Sequence, residues 1–261
     1  MSERRVPDLR VTDVTVEFGG LTALQGAHLT AEVGERAVIL GPNGAGKTTL
    51  FNVIGGTIKP RSGRIEIRGH DVTGRSPRVI RRHGLARAFQ TPSVFPTLTV
   101  RENLWLGRLY SDPVRWNPFA SAHREAAASE ITELAERIGL ADVLDRPADE
   151  LSHADQKVLD IGVALAGKPT ILLLDEPTQG VSPEDVGRIV SVITETMQDM
   201  AVVVIEHDIA TVAAIATRVI VLDRGRVIAE GSLAEVSARP EVQEVYLGGG
   251  LAELLDEGWD G

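Results

Sequence analysis

Short, wholly apolar runs recur along the chain and predict strands that are buried on both faces of a sheet. They comprise Ile171 to Leu174, Val202 to Ile205 and Val219 to Leu222, with a similar run from Arg36 to Leu40. Such continuous runs are typical of parallel sheets, whose faces are both covered. Helical patterns follow several of the runs, including a predicted helix over Lys47 to Ile54. This alternation predicts an α/β fold with a parallel sheet, whose ligands bind beyond the carboxyl ends of the strands.

A different pattern near the N-terminus predicts a second, smaller sheet. Val14, Val16 and Phe18 alternate with polar residues, as in a strand with one buried face. The short apolar segment from Ile65 to Ile67, with glycine and proline around it, fits further strands of the same kind. We therefore expect a small antiparallel β subdomain beside the parallel core.

The middle third of the chain is rich in Ala, Glu and Arg, and from Val100 to about Ala166 its apolar residues recur at helical spacing. The segment from Ser111 to Ala120, with two prolines, is predicted to be a loop. We interpret the region of about residues 91–166 as a helical subdomain inserted into the core. The whole domain is expected to span residues 9–248, followed by a C-terminal tail over residues 249–261.

The composition excludes several classes of protein. The chain has 261 residues, of which 43% are hydrophobic and 25% charged, values typical of a globular protein. Its formal net charge of -10 argues against a surface that neutralises nucleic-acid phosphates, so no nucleic-acid partner is expected. Without cysteine it has no disulfide, thiol nucleophile or cysteine-zinc site. The N-terminal segment is polar, and no apolar run approaches the ~20 residues that span a bilayer, so we expect a cytoplasmic protein.

The strongest chemical signal is a glycine-rich loop between the predicted strand at Arg36 to Leu40 and the helix that follows. Its sequence, GPNGAGKT, matches the pattern GxxxxGK[ST] in the strand-loop-helix context that this pattern requires. Backbone N–H groups would surround the β-phosphate of a nucleotide, Lys47 would reach the β- and γ-phosphates, and Thr48 could ligate magnesium. The predicted phosphate-binding residues are Gly41, Pro42, Asn43, Gly44, Ala45, Gly46, Lys47 and Thr48.

Two carboxylates, Asp175 and Glu176, end the apolar run from Ile171 to Leu174. Acids at the end of a buried strand are costly unless they have a use. Beside a phosphate-binding loop, Asp175 would belong to the shell of a magnesium ion, and Glu176 would accept a proton from the attacking water as general base. The alternative is a solvated strand end at which the acids are incidental.

Two more polar residues lie at predicted strand ends. His207 follows the segment from Val202 to Glu206, where the γ-phosphate is expected, which favours a hydrogen bond to that phosphate. Taken alone, a histidine in such a position is more often structural. Gln90 follows an apparent strand over Leu85 to Phe89, and its amide could contact magnesium and water or merely cap the strand.

In their order along the chain, these segments resemble the motifs of the ATP-binding subunits of ABC transporters. The matching segments are Gly41 to Thr49 (Walker A), Gln90 (Q-loop), Leu151 to Gln156 (signature motif), Ile171 to Pro177 (Walker B with its catalytic glutamate), Thr178 to Pro183 (D-loop) and His207 (switch histidine). The likeness covers nearly the whole chain and implies an ATPase with a P-loop NTPase core that uses ATP and Mg²⁺. It implies catalytic roles for Glu176, His207 and Gln90, metal contacts from Thr48, Gln90 and Asp175, and an ATP site that extends to Thr49.

The resemblance also implies a second ATPase subunit, because in this family two subunits enclose two ATP molecules and each signature motif covers the nucleotide of the other subunit. Ser152 and Ala154 would make that contact. Phe18 would stack on adenine, unless it is a core residue of its alternating strand. The motif LSGGQ has become LSHAD, in which His153 is bulky and Asp155 brings a negative charge towards the phosphates. We expect that the site still closes, although more weakly.

Finer similarities concern the branch of the family. Three segments are similar to those in importers of branched-chain amino acids and in the related urea and short-chain amide importers. They are Phe89 to Gly107, Glu241 to Gly248 and the LSH that begins the signature motif. Such a subunit lies on the inner face of the cell membrane. It works with an identical or different second ATPase, with transmembrane permease subunits and, indirectly, with an extracytoplasmic substrate-binding protein. Ser182 stands where many relatives have Asp in the D-loop, which bears on communication between the two ATP sites.

Two other classes fit the sequence less well. ABC ATPases that act on ribosomes or DNA usually carry two ATPase units or a long coiled-coil insertion and favour basic surfaces, and neither feature is present. A GTPase of this loop class would carry an NKxD motif. A small-molecule kinase would not be expected to carry the DEP sequence followed by a histidine downstream.

Overall fold

The computed structural model describes residues 6–109 and 121–246, which form two β-sheets surrounded by helices. The predicted loop at residues 111–120 and the tail at residues 249–261 lie outside the described residues. The strands are β1 (Leu9–Phe18), β2 (Leu21–Ala31), β3 (Arg36–Leu40), β4 (Ser62–Ile67), β5 (His70–Asp71), β6 (Leu85–Ala88), β7 (Ile171–Asp175), β8 (Ala201–Ile205), β9 (Arg218–Asp223) and β10 (Arg226–Gly231). The helices are α1 (Lys47–Ile54), α2 (Pro77–Arg82), α3 (Val100–Leu109), α4 (Ser121–Arg137), α5 (His153–Ala166), α6 (Pro183–Thr196), α7 (Ile209–Ile215), α8 (Leu233–Ser237) and α9 (Pro240–Tyr246), with short 3-10 turns at Ala141–Val143 and Ala148–Glu150.

The larger sheet has the strand order β10-β9-β3-β8-β7-β6, and its pairings are parallel except at the β10 edge. Every residue of β7 and β8 is buried, as their continuous apolar runs predicted. Alternate residues of β3, β7 and β8 belong to two different core clusters, so that both faces of this sheet are covered. Because these strands are parallel, the residues that follow β3, β6, β7 and β8 meet at one edge.

The smaller sheet is antiparallel, with the order β2-β1-β4-β5. Val14 and Val16 of β1 are buried, as the alternation predicted. Phe18, the last residue of the same strand, is 47% exposed. The expectation of a small antiparallel unit beside the parallel core is therefore confirmed, and the interpretation of Phe18 as a core residue is wrong.

The region predicted to be helical contains α3, α4 and α5. A Cβ on Gly107 of α3 would lie 2.2 Å from the carbonyl oxygen of Val163 in α5, so glycine permits the two helices to approach this closely. The packed side chains of these helices are continuous with the core cluster that covers one face of the parallel sheet. None of the helices within the described residues combines the length and the apolar character that a membrane span requires.

Candidate functional site

The glycine-rich loop between β3 and α1 leaves room for glycine alone at two positions. A Cβ on Gly41 would lie 2.1 Å from the carbonyl oxygen of Leu222, and one on Gly46 would lie 2.7 Å from that of Ala23. Gly46 has a φ of 105° and occupies the N-cap position of α1, where no side chain caps the helix. The first N–H groups of α1 are therefore not capped by a side chain at the loop, which is the arrangement that favours an anion.

Lys47, the first residue of α1, folds over this loop. Its ammonium donates hydrogen bonds to the carbonyl oxygens of Gly41 (2.5 Å) and Pro42 (3.0 Å). The residue is 9% exposed, and burial lowers the pKa of Lys47, against the opposing effect of the carboxylates of Glu176 and Asp175. The loop cation and the two acids after β7 thus lie close enough to influence each other. Two of the three N–H donors of the ammonium make these bonds, which leaves a donor for a phosphate.

Asp175, the last residue of β7, is buried and paired with an arginine that the sequence analysis did not identify. Arg87 Nη2 lies 2.6 Å from Asp175 Oδ2, and Arg87 Nη1 donates to Asn52 Oδ1 at 2.8 Å. The guanidinium also lies near the rings of Phe51 and Phe89, at 5.6 and 4.9 Å from their centroids. The one available signal was an arginine within the apolar segment Leu85 to Phe89, because a buried arginine needs an acidic partner.

Glu176 follows β7 with a φ of 48°, an unusual conformation for a residue other than glycine, and its N–H donates to Ile205 O at 2.9 Å. The amide of Gln90 donates to Glu176 Oε2 at 2.8 Å and to Gln179 Oε1 at 2.5 Å. Two residues that the sequence singled out separately, Gln90 and Glu176, are thus in direct contact. Gln179 was not identified beforehand, although it lies three residues after Glu176 and within the predicted D-loop.

His207 is exposed at the start of the turn between β8 and α7, and its backbone is held by a buried acid. Glu206 is fully buried and accepts hydrogen bonds from Thr178 Oγ1 (2.8 Å) and from the N–H of His207 (3.0 Å). His207 Nδ1 lies 3.6 Å from the same carboxylate. The sequence offered a signal for Glu206 that was not used, since an acid at the end of an apolar run also pointed to Asp175 and Glu176. Through these bonds, Glu206 joins this turn to Thr178, which lies in the segment that follows Glu176.

The signature segment (Leu151 to Gln156) is held by its own side chains. Ser152 is the N-cap of α5, and its hydroxyl accepts from the N–H of Asp155 (3.1 Å) and donates to Asp155 Oδ2 (2.9 Å). Asp155 is also paired with Arg188 of α6. Ser152 and His153 are exposed, whereas Ala154 is 3% exposed, so the methyl group that replaces glycine's hydrogen lies inside the molecule. The negative charge expected at Asp155 is thereby offset by a neighbouring cation.

Phe18 lies at the turn end of the hairpin that β1 and β2 form. Its Cα partner across the hairpin is Leu21, which is 71% exposed. The same β2 strand contacts the loop, since a Cβ on Gly46 would lie 3.0 Å from Leu24 Cδ2. An exposed aromatic ring is therefore carried by a hairpin that packs against the loop, and stacking on adenine stays a prediction.

Three oxygen donors are predicted to hold a metal ion, and all are of the kind that Mg²⁺ prefers. They are the Thr48 hydroxyl, the Asp175 carboxylate and the Gln90 amide oxygen. Thr48 is exposed. The Gln90 amide donates its two hydrogen bonds, to Glu176 and Gln179, from its nitrogen, so these bonds do not use its oxygen. Within residues 6–109 and 121–246, no group of three His, Cys, Asp or Glu side chains forms a metal site. One carboxylate with hydroxyl, water and phosphate oxygens is a usual setting for Mg²⁺, so the donor set fits this ion.

Comparison with known proteins places these features in a family. A family model described as "ABC transporter" matches residues 24–179, and one described as "Branched-chain amino acid ATP-binding cassette transporter" matches residues 226–252. The chain is 35% identical over 251 residues to the high-affinity branched-chain amino acid transport ATP-binding protein LivG of Escherichia coli, covering 93% of this chain and 98% of that protein. It is 32% identical over 255 residues to BraF of Pseudomonas aeruginosa, with the same coverage.

Solved structures give the same picture. An ATP-binding cassette of an ABC transporter in its ADP conformation superposes with a TM-score of 0.82 at 31% identity, covering 94% of this chain and all of that one. CbiO1 of Clostridium perfringens, part of an ABC transporter complex, gives a TM-score of 0.77 at 29% identity, with 95% and 97% coverage. The similarity thus extends over almost the whole length of each protein.

Proposed function

Because the chain belongs to the ATP-binding cassettes of the ABC transporter family, which are ATPases coupled to transport, we propose that it powers an importer of branched-chain amino acids. The observation that carries the ATPase role is that Lys47, in the helix after β3, and Asp175 and Glu176, at the end of β7, lie at the same edge of the parallel sheet, with Gln90 hydrogen-bonded to Glu176. The names of LivG and BraF and the match at residues 226–252 support the choice of substrate.

In the proposed reaction, the phosphates of ATP bind to the loop of residues 41–48 and to Thr49. The Lys47 ammonium turns from the carbonyl oxygens of Gly41 and Pro42 towards the β- and γ-phosphates. Phe18 stacks on the adenine. Glu176 accepts the proton of the attacking water, and Gln90 holds one oxygen of that carboxylate so that the other faces the water.

The γ-phosphate also receives a hydrogen bond from His207, whose backbone is anchored on Glu206. Thr48, Asp175 and Gln90 would hold Mg²⁺, which supplies positive charge against the phosphate oxygens when it is bound. Arg87 holds the second oxygen of Asp175 and fixes the direction of this carboxylate.

The proposal includes a second copy or a second kind of ATPase subunit. Ser152 and the backbone at Ala154 would cover the γ-phosphate bound by that partner, which excludes water from both sites. A single ATPase domain over residues 9–248, with a helical subdomain at about 91–166, would dock on separate transmembrane permease subunits at the inner face of the membrane. A substrate-binding protein outside the membrane would deliver the solute.

The test is solute uptake by cells that lack this chain and carry either the wild-type gene or Glu176→Gln. We expect the wild-type gene, and not the variant, to restore uptake of labelled leucine, isoleucine and valine. Restoration of urea or acetamide uptake alone would favour the related urea and amide importers instead. Uptake that is equal with both genes, or restored by neither, would contradict the proposal.

A further inference from the structure

Asp160, a buried side chain of α5, holds both ends of the segment that carries Gln90. Its residue is 6% exposed. One carboxylate oxygen accepts the N–H of Phe89 at 3.0 Å, and the other accepts the N–H of Ser93 at 2.9 Å. These two amides lie on either side of Gln90 in the sequence. A single carboxylate therefore fixes the segment Phe89 to Ser93, which we name the Gln90 segment.

Lys157, one helical turn earlier on α5, joins this segment to the general base. Its ammonium donates to the carbonyl oxygen of Gln90 at 3.1 Å and to that of Glu176 at 3.3 Å, and the residue is 4% exposed. The side chains of Gln90 and Glu176 are themselves hydrogen-bonded at 2.8 Å. The main chains and the side chains of this pair are thus both held together.

The Lys157 ammonium and the Asp160 carboxylate are both buried, although the burial of a charged group is costly. Burial lowers the pKa of Lys157, against the opposing charges of Glu206, Asp160 and Glu176. Burial likewise raises the pKa of Asp160, against the N–H groups of Ser93 and Phe89 and the charge of Lys157. Only a carboxylate offers an acceptor on both oxygens, since an amide would turn an N–H towards one of the two backbone donors. The chemistry of position 160 thus matches the two N–H groups it receives.

We propose that Lys157 and Asp160 are positioning residues for ATP hydrolysis, which set the place of the Gln90 amide and, through it, of the Glu176 carboxylate. The inference rests on the ATPase function proposed above. Among the described residues, the hydrogen bonds of these two side chains go to the Gln90 segment and to Glu176, and none goes to the phosphate-binding loop. Their replacement should therefore lower the rate of hydrolysis and leave ATP affinity unchanged.

The first experiment measures steady-state ATP hydrolysis by the full chain for Asp160→Asn and Lys157→Met. We expect kcat to fall by about 10- to 100-fold, as when a reacting group is displaced by about 1 Å, with KM for ATP within about 2-fold of wild type. Lys157→Arg, which keeps the positive charge and the N–H donors, should retain most of the activity. A folded Asp160→Asn with unchanged kcat, or a loss confined to KM, would overturn the inference.

A matched control separates positioning from support of the fold. Asn103 is 1% exposed, and it holds a neighbouring segment through hydrogen bonds to Phe95, Leu98 and Thr99. Asn103→Leu should lower the unfolding temperature as Asp160→Asn does, yet keep the wild-type kcat. If the Asn103 variant loses kcat to the same extent, the effect of Asp160 is one of general stability and the positioning role is wrong.

Double variants with Gln90→Ala identify the route of the effect. If Lys157 acts through Gln90, Lys157→Met should add little to the loss caused by Gln90→Ala, because the group it positions is already gone. Losses that multiply would overturn the proposed route, and this test holds even if Asp160→Asn fails to fold.

Hydrogen exchange gives a readout without catalysis, since the amides of Phe89 and Ser93 should exchange faster in Asp160→Asn. A wild-type chain that neither binds nor hydrolyses ATP would instead contradict the proposed function itself.

Discussion

The phosphate-binding loop and the signature segment each precede a helix, but they differ in whether a side chain caps the first N–H groups of that helix. Gly46 begins α1 without a side-chain cap and without an acid in the first turn. Ser152 begins α5 with its hydroxyl on the N–H of Asp155, whose carboxylate already lies in that turn. At the loop no side chain binds these N–H groups, which favours an outside anion, whereas at the signature segment one of them, that of Asp155, is already bound by the Ser152 hydroxyl.

This difference indicates how the work is divided between the two regions. In the proposed function, nucleotide binding and chemistry belong to the loop and to the acids after β7, and the start of α1 has no side-chain cap and no acid in its first turn. The signature segment is proposed to cover the nucleotide of a second subunit, and in it Arg188 offsets the charge of Asp155. Substitutions at the first region should change binding or turnover in each subunit, and those at the second should change association or stability.

The largest effect is expected from Glu176→Gln, which removes the proton acceptor and keeps the shape of the side chain. Hydrolysis should fall by about 10²- to 10⁴-fold, the usual contribution of a general base, while ATP binding persists. Phosphate release and equilibrium binding of a fluorescent ATP analogue measure the two quantities. Glu195→Gln, an exposed position on α6, should keep the wild-type rate. Normal turnover in Glu176→Gln would remove this residue from the mechanism.

Lys47→Ala should weaken ATP binding by about 10- to 100-fold, because it deletes a charge-assisted hydrogen bond to the phosphates. The dissociation constant, measured by calorimetry, reports this loss. The exposed Lys59→Ala is the matched control for a lost positive charge and should bind ATP as the wild type does. Equal affinities for all three proteins would contradict the assignment of the loop.

Arg188→Gln should leave ATP binding by the single subunit unchanged and weaken ATP-dependent association by about 5-fold, equivalent to roughly 1 kcal/mol for a partly exposed charge. Association is measured by sedimentation in the Glu176→Gln background. In a chain that also carries Asp155→Gln, the same change should have no effect, because no charge remains to be offset. An equal loss in both backgrounds would show that Arg188 acts in some other way.

The smallest effect is expected from Ser152→Ala, which removes the cap of α5. The free energy of unfolding should fall by about 1 kcal/mol, or roughly 2 to 4 °C in Tm. Thr48→Ala, at the corresponding turn of α1, should leave the Tm unchanged, because no side-chain cap is lost there. If both substitutions lower the Tm equally, the contrast between the two helix starts is wrong.

The sequence predicted the phosphate-binding side of this comparison better than the signature side. The bounds of β3 and α1 agree with prediction because glycine spacing and a short apolar run are local signals. The Arg87 partner of Asp175 lies 88 residues away, and the Arg188 partner of Asp155 lies 33 residues away, so neither pair can be read from a local pattern. The sequence alone leaves two roles for Phe18, stacking on adenine or packing in the core, because alternation does not show where the buried face of a strand ends.

The proposed function requires that the LSHAD segment still covers the ATP of a second subunit, which light scattering of Glu176→Gln examines. The mass in solution is measured with ATP and, separately, with ADP, at concentrations that saturate the site. We expect a dimer with ATP and a monomer with ADP, since only ATP presents a γ-phosphate to Ser152. A chain that binds ATP and remains a monomer would contradict it.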